Sequence, residues 1–299
     1  MTMRTSRGNF TRSSGVTLIE LAITIALVGI LAALIVQFVS PVRSYIDTSR
    51  RAALADTADT ALRRIGRDLR LALPNSVRVT TSGGVVYLEF LLVRTAGRYR
   101  FEAGTGTDCG GTTADDALVF GAADTCFTSI GGILNRSEVV STDYLVVFNL
   151  QPGTDKGDAY QTTCGSACNK SQISATLPAV GTDGDVIKFA SNTFTYESPG
   201  RRFFIIEGPV TYACDVSGGT LKRYSGYGIA FTQPTPPGGS PALIASGVNG
   251  CSFTYDNVAG AANQGAGLVT MRLQLRAQSS DGANEDVTLY HAVHVSNVP

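Results

Sequence analysis

Apolar and polar positions divide the 299-residue chain into three stretches with different periods. Residues 1–15 are polar, with Arg4, Arg7 and Arg12 and no acid. From Val16 the chain turns continuously apolar, and 22 uncharged residues separate Glu20 from Arg43. About 20 apolar residues in a helix cross a bilayer core, so this run predicts a membrane helix. It exceeds the roughly 7–15-residue apolar segment of a secretory signal, and no small-x-small cleavage site follows it. Pro41 removes a backbone donor near the end of the run and predicts a kink. Beyond it, Leu54, Ala58, Ala61, Ile65, Leu69 and Ala72 recur at three- and four-residue spacing, one apolar stripe of an amphipathic helix. Arg50, Arg51, Arg63, Arg64, Arg67 and Arg70 occupy its other sides. That basic face is either solvated or in electrostatic contact with neighbouring subunits. Pro74-Asn75 is the expected stop. At 1.5 Å per residue, residues 16–73 make a rod of about 85 Å.

From residue 75 the period shortens to two. Strands are expected at Val85–Val93, Tyr144–Leu150, Asp185–Ala190, Arg202–Glu207, Val210–Cys214, Thr220–Tyr224, Gly228–Phe231, Cys251–Tyr255, Leu268–Leu275 and Asp286–Val295. Val269, Met271, Leu273 and Leu275 alternate on one face. Residues 104–116, 151–183 and 233–241 are rich in Gly, Thr, Asp or Pro and read as loops. The fold class is therefore α+β, a long N-terminal helix packed on a β-sheet-rich head.

Composition supports an exported β-rich protein. Charged residues are only 16% of the chain, below the usual quarter, while hydrophobic residues are a normal 43%. Such a chain folds rather than staying disordered. Gly is abundant at 33 residues, and Trp is absent. The six cysteines, Cys109, Cys126, Cys164, Cys168, Cys214 and Cys251, fit an oxidising compartment. Proximity along the chain favours the pairs Cys109–Cys126, Cys164–Cys168 and Cys214–Cys251. The 24 basic and 24 acidic residues balance, which argues against a nucleic-acid binder. The zero is a sum of unlike parts: +3 in residues 1–15, −1 at Glu20, +3 between Arg43 and Arg70, and −5 in residues 71–299. A basic stalk thus carries an acidic head.

Glu20 is the anomaly, since an ionised carboxylate inside an apolar span costs about 2.5–3.5 kcal/mol or more. One reading places it at the membrane boundary, within reach of headgroups. The other makes Gly15–Val16 a processing site. Cleavage there creates an α-amino group at Val16, and an amine and a carboxylate from adjacent subunits then neutralise each other in an apolar bundle.

Gly15-Val16-Thr17-Leu18-Ile19-Glu20 resembles the class III signal of type IV prepilins and type II secretion pseudopilins. Val16 stands where that family usually has Phe. The resemblance implies that a membrane peptidase cuts after Gly15, that Val16 becomes a methylated N-terminus, and that Glu20 is the assembly glutamate. Further segments, Leu62–Val79, Arg202-Phe-Phe, Pro209–Cys214, Leu221–Gly228, Cys251–Tyr255 and His291–Pro299, resemble minor pilins of the mannose-sensitive haemagglutinin (MSHA) pilus system, the MshO type. The implied divisions are a leader at 1–15, a transmembrane or filament-core helix at 16–41, an amphipathic helix at 42–74 and a periplasmic or extracellular head at 75–299. The implied setting is the inner membrane, with the N-terminus cytoplasmic before processing, and then the filament. The implied partners are major and minor pilins and the prepilin peptidase. Two alternatives stay open: a J-type minor pseudopilin of a secretion system, and a tip adhesin-like binding module.

Catalytic chemistry has few candidates. His291 and His294 are three apart in a period-2 segment, so they face opposite ways, and His291 is expected inside and hydrogen-bonded. Cys164-Gly-Ser-Ala-Cys168 lacks the two-residue spacing of zinc knuckles. Gly181-Thr-Asp183-Gly-Asp185 is locally acidic but lacks the spaced oxygens of a Ca²⁺ loop and reads as a turn. No nucleophile elbow, phosphate loop or triad can be assigned. The sequence therefore predicts no enzyme, no metal and no cofactor.

Overall fold

The computed structural model describes residues 15–102, 109, 117–178, 184–257, 265–278 and 282–299. The protein is α+β, with one N-terminal apolar helix and a body of antiparallel sheets. Helix α1 spans Leu18–Arg70, 53 residues. Thr17 caps it, its Oγ1 accepting from the Glu20 backbone N–H at 3.3 Å. The helix runs through Pro41 without ending. A proline inside a helix deletes one backbone hydrogen bond and crowds one carbonyl, which disturbs a turn without having to terminate the helix.

The helix ends at Arg70, short of the Pro74 stop read from the sequence. Its last turn tightens, with Leu71 N–H donating to Asp68 O and Ala72 N–H to Leu69 O. The sheet then takes over the backbone. Leu73 N–H donates to Leu91 O, and Val93 N–H donates to Leu71 O, both at 2.8 Å. The helix is thus pulled into strand pairing three residues before Pro74 blocks it.

Twelve strands follow among the described residues: β1 Arg78–Ser82, β2 Val85–Arg98, β3 Asp124–Thr128, β4 Tyr144–Val147, β5 Lys170–Pro178, β6 Asp185–Asn192, β7 Arg202–Asp215, β8 Thr220–Ser225, β9 Ser240–Ser246, β10 Val248–Asp256, β11 Ala266–Gln278 and β12 Asn284–Ser296. Nine form one sheet and the last three another, in the order β10-β11-β12. The larger sheet forks on β7. The first half of β7 pairs with β4, which leads on through β5 and β6 to β3; its second half pairs with β8, which leads to β9. β2 lies along both halves.

The fork explains why two strands were expected where one exists. Gly208 sits at φ +132°, a conformation that side chains resist, and Pro209 has no N–H for the ladder. Locally this reads as a break, but pairing with β2 on both sides carries the strand across it. Other expectations need correction. Gly228–Phe231 forms no strand, because the carbonyls of Ala230 and Phe231 accept from the Arg78 guanidinium instead of a ladder. β4 stops at Val147 because Phe148 is left-handed at φ +50°. β5 lies inside the stretch read as a loop at 151–183, held by partners on both edges. β1 and β3 are short and mostly polar, β9 is mostly exposed and contains Pro241, and they too exist through their partners.

The core joins the helix to both sheets. Ala58, Ala61, Leu62, Ile65, Leu69 and Ala72 bury one stripe of α1 with Leu88, Phe90, Tyr212, Val269, Met271, Leu273 and Val293. Burying Leu62, Ile65 and Leu69 contributes about 1.5–3 kcal/mol each. A second, aromatic cluster centres on Phe127, Phe189, Phe194 and Phe203.

Candidate functional site

The residues singled out at the N-terminus lie at the far end of α1 from the body. Gly15, Val16 and Thr17 precede the helix in non-helical backbone, and Glu20 is exposed in its first turn. Leu18–Ile35 is long and apolar enough to cross a membrane, with a mean hydropathy of 2.7 and none of its residues buried in the body. The same helix is therefore exposed along Leu18–Ile35 and docked on the body from Ala58 onward. Residues 1–14 of the expected leader lie outside the described residues.

All six cysteines are in disulfides, paired Cys109–Cys126, Cys164–Cys168 and Cys214–Cys251. The last ties β7 of the large sheet to β10 of the small one. His291 is half-buried rather than enclosed, with its Nε2 facing Gly66 of α1, and no hydrogen bond holds it among the described residues. It packs there because Gly66 has no side chain: a Cβ would stand 3.0 Å from His291 Nε2 and 3.1 Å from Val293 Cγ2. His294 is exposed on the opposite face. Of the acidic loop, Gly181–Asp183 lies outside the described residues. Asp185 is buried and already committed, accepting from Ile133 N–H at 2.7 Å and from Arg136. Among the described residues, no three His, Cys, Asp or Glu side chains gather as metal ligands.

Two polar arrangements escaped the sequence reading. The first is centred on Glu89, fully buried in the middle of β2. Its Oε1 accepts from Arg78 Nε at 2.8 Å, and its Oε2 accepts from Thr211 Oγ1 at 3.1 Å and Tyr227 OH at 3.0 Å. The Arg78 guanidinium stacks on the Tyr160 ring at 3.7 Å. The carboxylate's three partners come from β1, β7 and the loop after β8, and Arg78 brings in Tyr160 from a second loop, so one carboxylate organises distant segments. A lone Glu in an otherwise apolar strand was the available signal.

The second is Lys170 on β5, whose Nζ donates to Ala159 O at 2.6 Å and to Gln161 O. Burial pushes its ammonium down to about 8, partly opposed by Asp158. A base depressed in this way adds stability above the unfolded value of 10.5 and loses it as pH falls to about 8. Tyr160, Tyr212 and Tyr227 act oppositely. Burial raises all three phenols from 10.0, so their contribution is complete below pH 10 and lost above it. The melting temperature is expected to rise from pH 8 to about 10 and then fall. Lys170→Met should flatten the rise and keep the fall, as scanning calorimetry across that range will show; an unchanged rise in the variant would reject the assignment.

Compared with protein-family models, curated proteins and solved structures, the chain matches none significantly.

Proposed function

We propose that this chain is a structural subunit of a type IV-type filament, a minor pilin of the MSHA kind. It is made as an inner-membrane precursor, cut after Gly15 by a prepilin peptidase and methylated on Val16. The observation that carries the reading is the division of α1. Its apolar half, Leu18–Ile35, is entirely exposed, and its amphipathic half is buried in the body. An exposed apolar helix of that length needs either lipid or the helices of other subunits around it. Such a helix exchanges one environment for the other with little change in apolar burial, because lipid tails are as apolar as leucine. Glu20 then adds direction. In the bundle its carboxylate meets the Val16 amine of a neighbour, and in lipid it does not. The body stays outside the bundle, braced by three disulfides suited to an oxidising compartment.

The reading is tested by the intact mass of the membrane-extracted protein. The expected chain begins at Val16 and carries one added methyl group. A mature chain retaining residues 1–15 would refute the processing step. The J-type pseudopilin alternative shares this stalk and differs in its partners, so the subunits that co-purify with the chain decide between the two.

A further inference from the structure

We infer that the free edge of β12, together with the arginine wall of α1 above it, is a docking groove for an extended acidic segment of a partner protein, which adds to the small sheet as a fourth strand. Among the described residues β12 pairs with β11 alone and forms one border of the three-stranded sheet. It is 13 residues long, Asn284–Ser296, and its ladder with β11 has no bulge. In an antiparallel pair, alternate residues turn their N–H and C=O away from the partner, so β12 offers a row of unpaired backbone groups. Exposed edges are ordinarily blunted by short length, proline, lysine or a bulge. β1 and β3 are five residues long, and β9 contains Pro241. β12 has none of these four, and its two acids, Glu285 and Asp286, are confined to its start.

The helix follows this edge along its length. Arg51 pairs with Glu285 at 3.8 Å, Gly66 lies against His291 and Val293, and Arg70 shares a cavity with Ser296 and Val298. α1 and β12 thus run side by side in the same direction. Between them opens a groove of about 730 Å³, walled by Asp59, Arg63, Arg64, Arg67, Arg70 and His291. His291 of β12 is its contact with the sheet, and the rest of its wall is α1. It meets, at Arg70, an apolar hollow of about 300 Å³ formed with Val93, Phe204 and Val298. Arg63 is paired with Asp59 at 2.6 Å. Arg64, Arg67 and Arg70 are exposed and have no ion-pair or hydrogen-bond partner among the described residues.

Charge and geometry together select the occupant. A strand added beside β12 would turn every second side chain toward the helix, at about 6.8 Å intervals. Arginines three and four apart on a helix are spaced by about 4.5–6 Å along the axis, within reach of that repeat for so long a side chain. Carboxylates at alternate positions would each meet a guanidinium. A second copy pairing β12 to β12 about a two-fold axis would bring its own arginine wall against this one, and like charges oppose that arrangement. A nucleic acid would satisfy the arginines but leave the strand edge unpaired. The groove lies on the body and the second half of the stalk, so it stands or falls independently of leader cleavage and of Glu20.

The test uses the full chain in detergent micelles. The probe is a labelled peptide of about ten residues in which glutamate alternates with valine and threonine. The control has the same charge, with proline at the valine and threonine positions, and cannot form a strand. Anisotropy should show the first peptide binding about tenfold more tightly than the control. The triple variant Arg64→Gln/Arg67→Gln/Arg70→Gln, changed only at exposed sites, should lose about tenfold in affinity for it. Hydrogen exchange should slow at alternate amides of β12 when the peptide binds. Equal binding of the proline peptide, equal binding of a short DNA duplex, unchanged exchange in β12, or self-association that protects β12 without peptide would each overturn the inference.

Discussion

Glu89→Ala is expected to destabilise the body by about 3–5 kcal/mol, a large share of a typical domain's total. The reason is the charge left behind. Arg78 is mostly buried, and its guanidinium would keep only the carbonyls of Ala230 and Phe231 and the face of Tyr160. Thr211 would lose its carboxylate acceptor, and Tyr227 would keep only the Thr211 hydroxyl. Removing one member of a buried ion pair is costly because the survivor has neither water nor partner. Removing both at once is much cheaper, since no charge then stays buried. The double variant Arg78→Met/Glu89→Leu should therefore be more stable than Glu89→Ala. Urea unfolding followed by tyrosine fluorescence measures both. A single-variant loss under about 1 kcal/mol, or a double variant less stable than the single, would show that the pair is not the organising contact.

If the chain is the proposed filament subunit, Glu20→Ala should leave it in the membrane and strip it of its partners. Alanine is compatible with an apolar helix, so insertion is retained or improved. In the proposed bundle, however, the Val16 amine of a neighbouring subunit would lose its counter-ion. An unpaired charge in that setting costs about 2.5–3.5 kcal/mol, a factor of roughly a hundred in an association constant. Co-purification of the proposed partner subunits with the variant, normalised to the amount of chain in the membrane fraction, should fall by about that factor. Glu20→Asp, which keeps the charge on a shorter side chain, should retain part of the yield. Unchanged partner recovery for Glu20→Ala would remove the assembly role from Glu20 while leaving the cleavage proposal to its own test.

The long helix was legible because its signals are local. A 22-residue uncharged run and a three-to-four spacing at Leu54–Ala72 each arise from neighbours in sequence, and nearly the whole expected stripe is buried. The alternation in Leu268–Leu275 was equally direct: Val269, Met271, Leu273 and Leu275 are all buried on one face. Less was legible at the candidate sites. Arg63, Arg64, Arg67 and Arg70 read as a charged helix face, but nothing in their spacing indicates that an open strand edge lies beneath them. His291 was expected to be enclosed; it is half-exposed, and its close approach to α1 depends on Gly66, 225 residues earlier in the chain.

The sequence by itself determined where the chain is helical, where strongly alternating runs such as Leu268–Leu275 form strands, and which end is apolar enough for a membrane. Those properties follow from rotation per residue and from side chains within a few positions of one another. Only the tertiary structure decided that β5 is a strand, that β7 runs unbroken across Gly208-Pro209, and that the helix yields to the sheet at Leu71. Each of these rests on backbone partners supplied from distant segments, which make hydrogen bonds that local propensity disfavours. The same holds for Glu89. Its strand position was plain, but its role depends on Tyr227, 138 residues away, and on Thr211, 122 residues away. A buried charge is tolerated only where such partners converge, and convergence is a property of the fold.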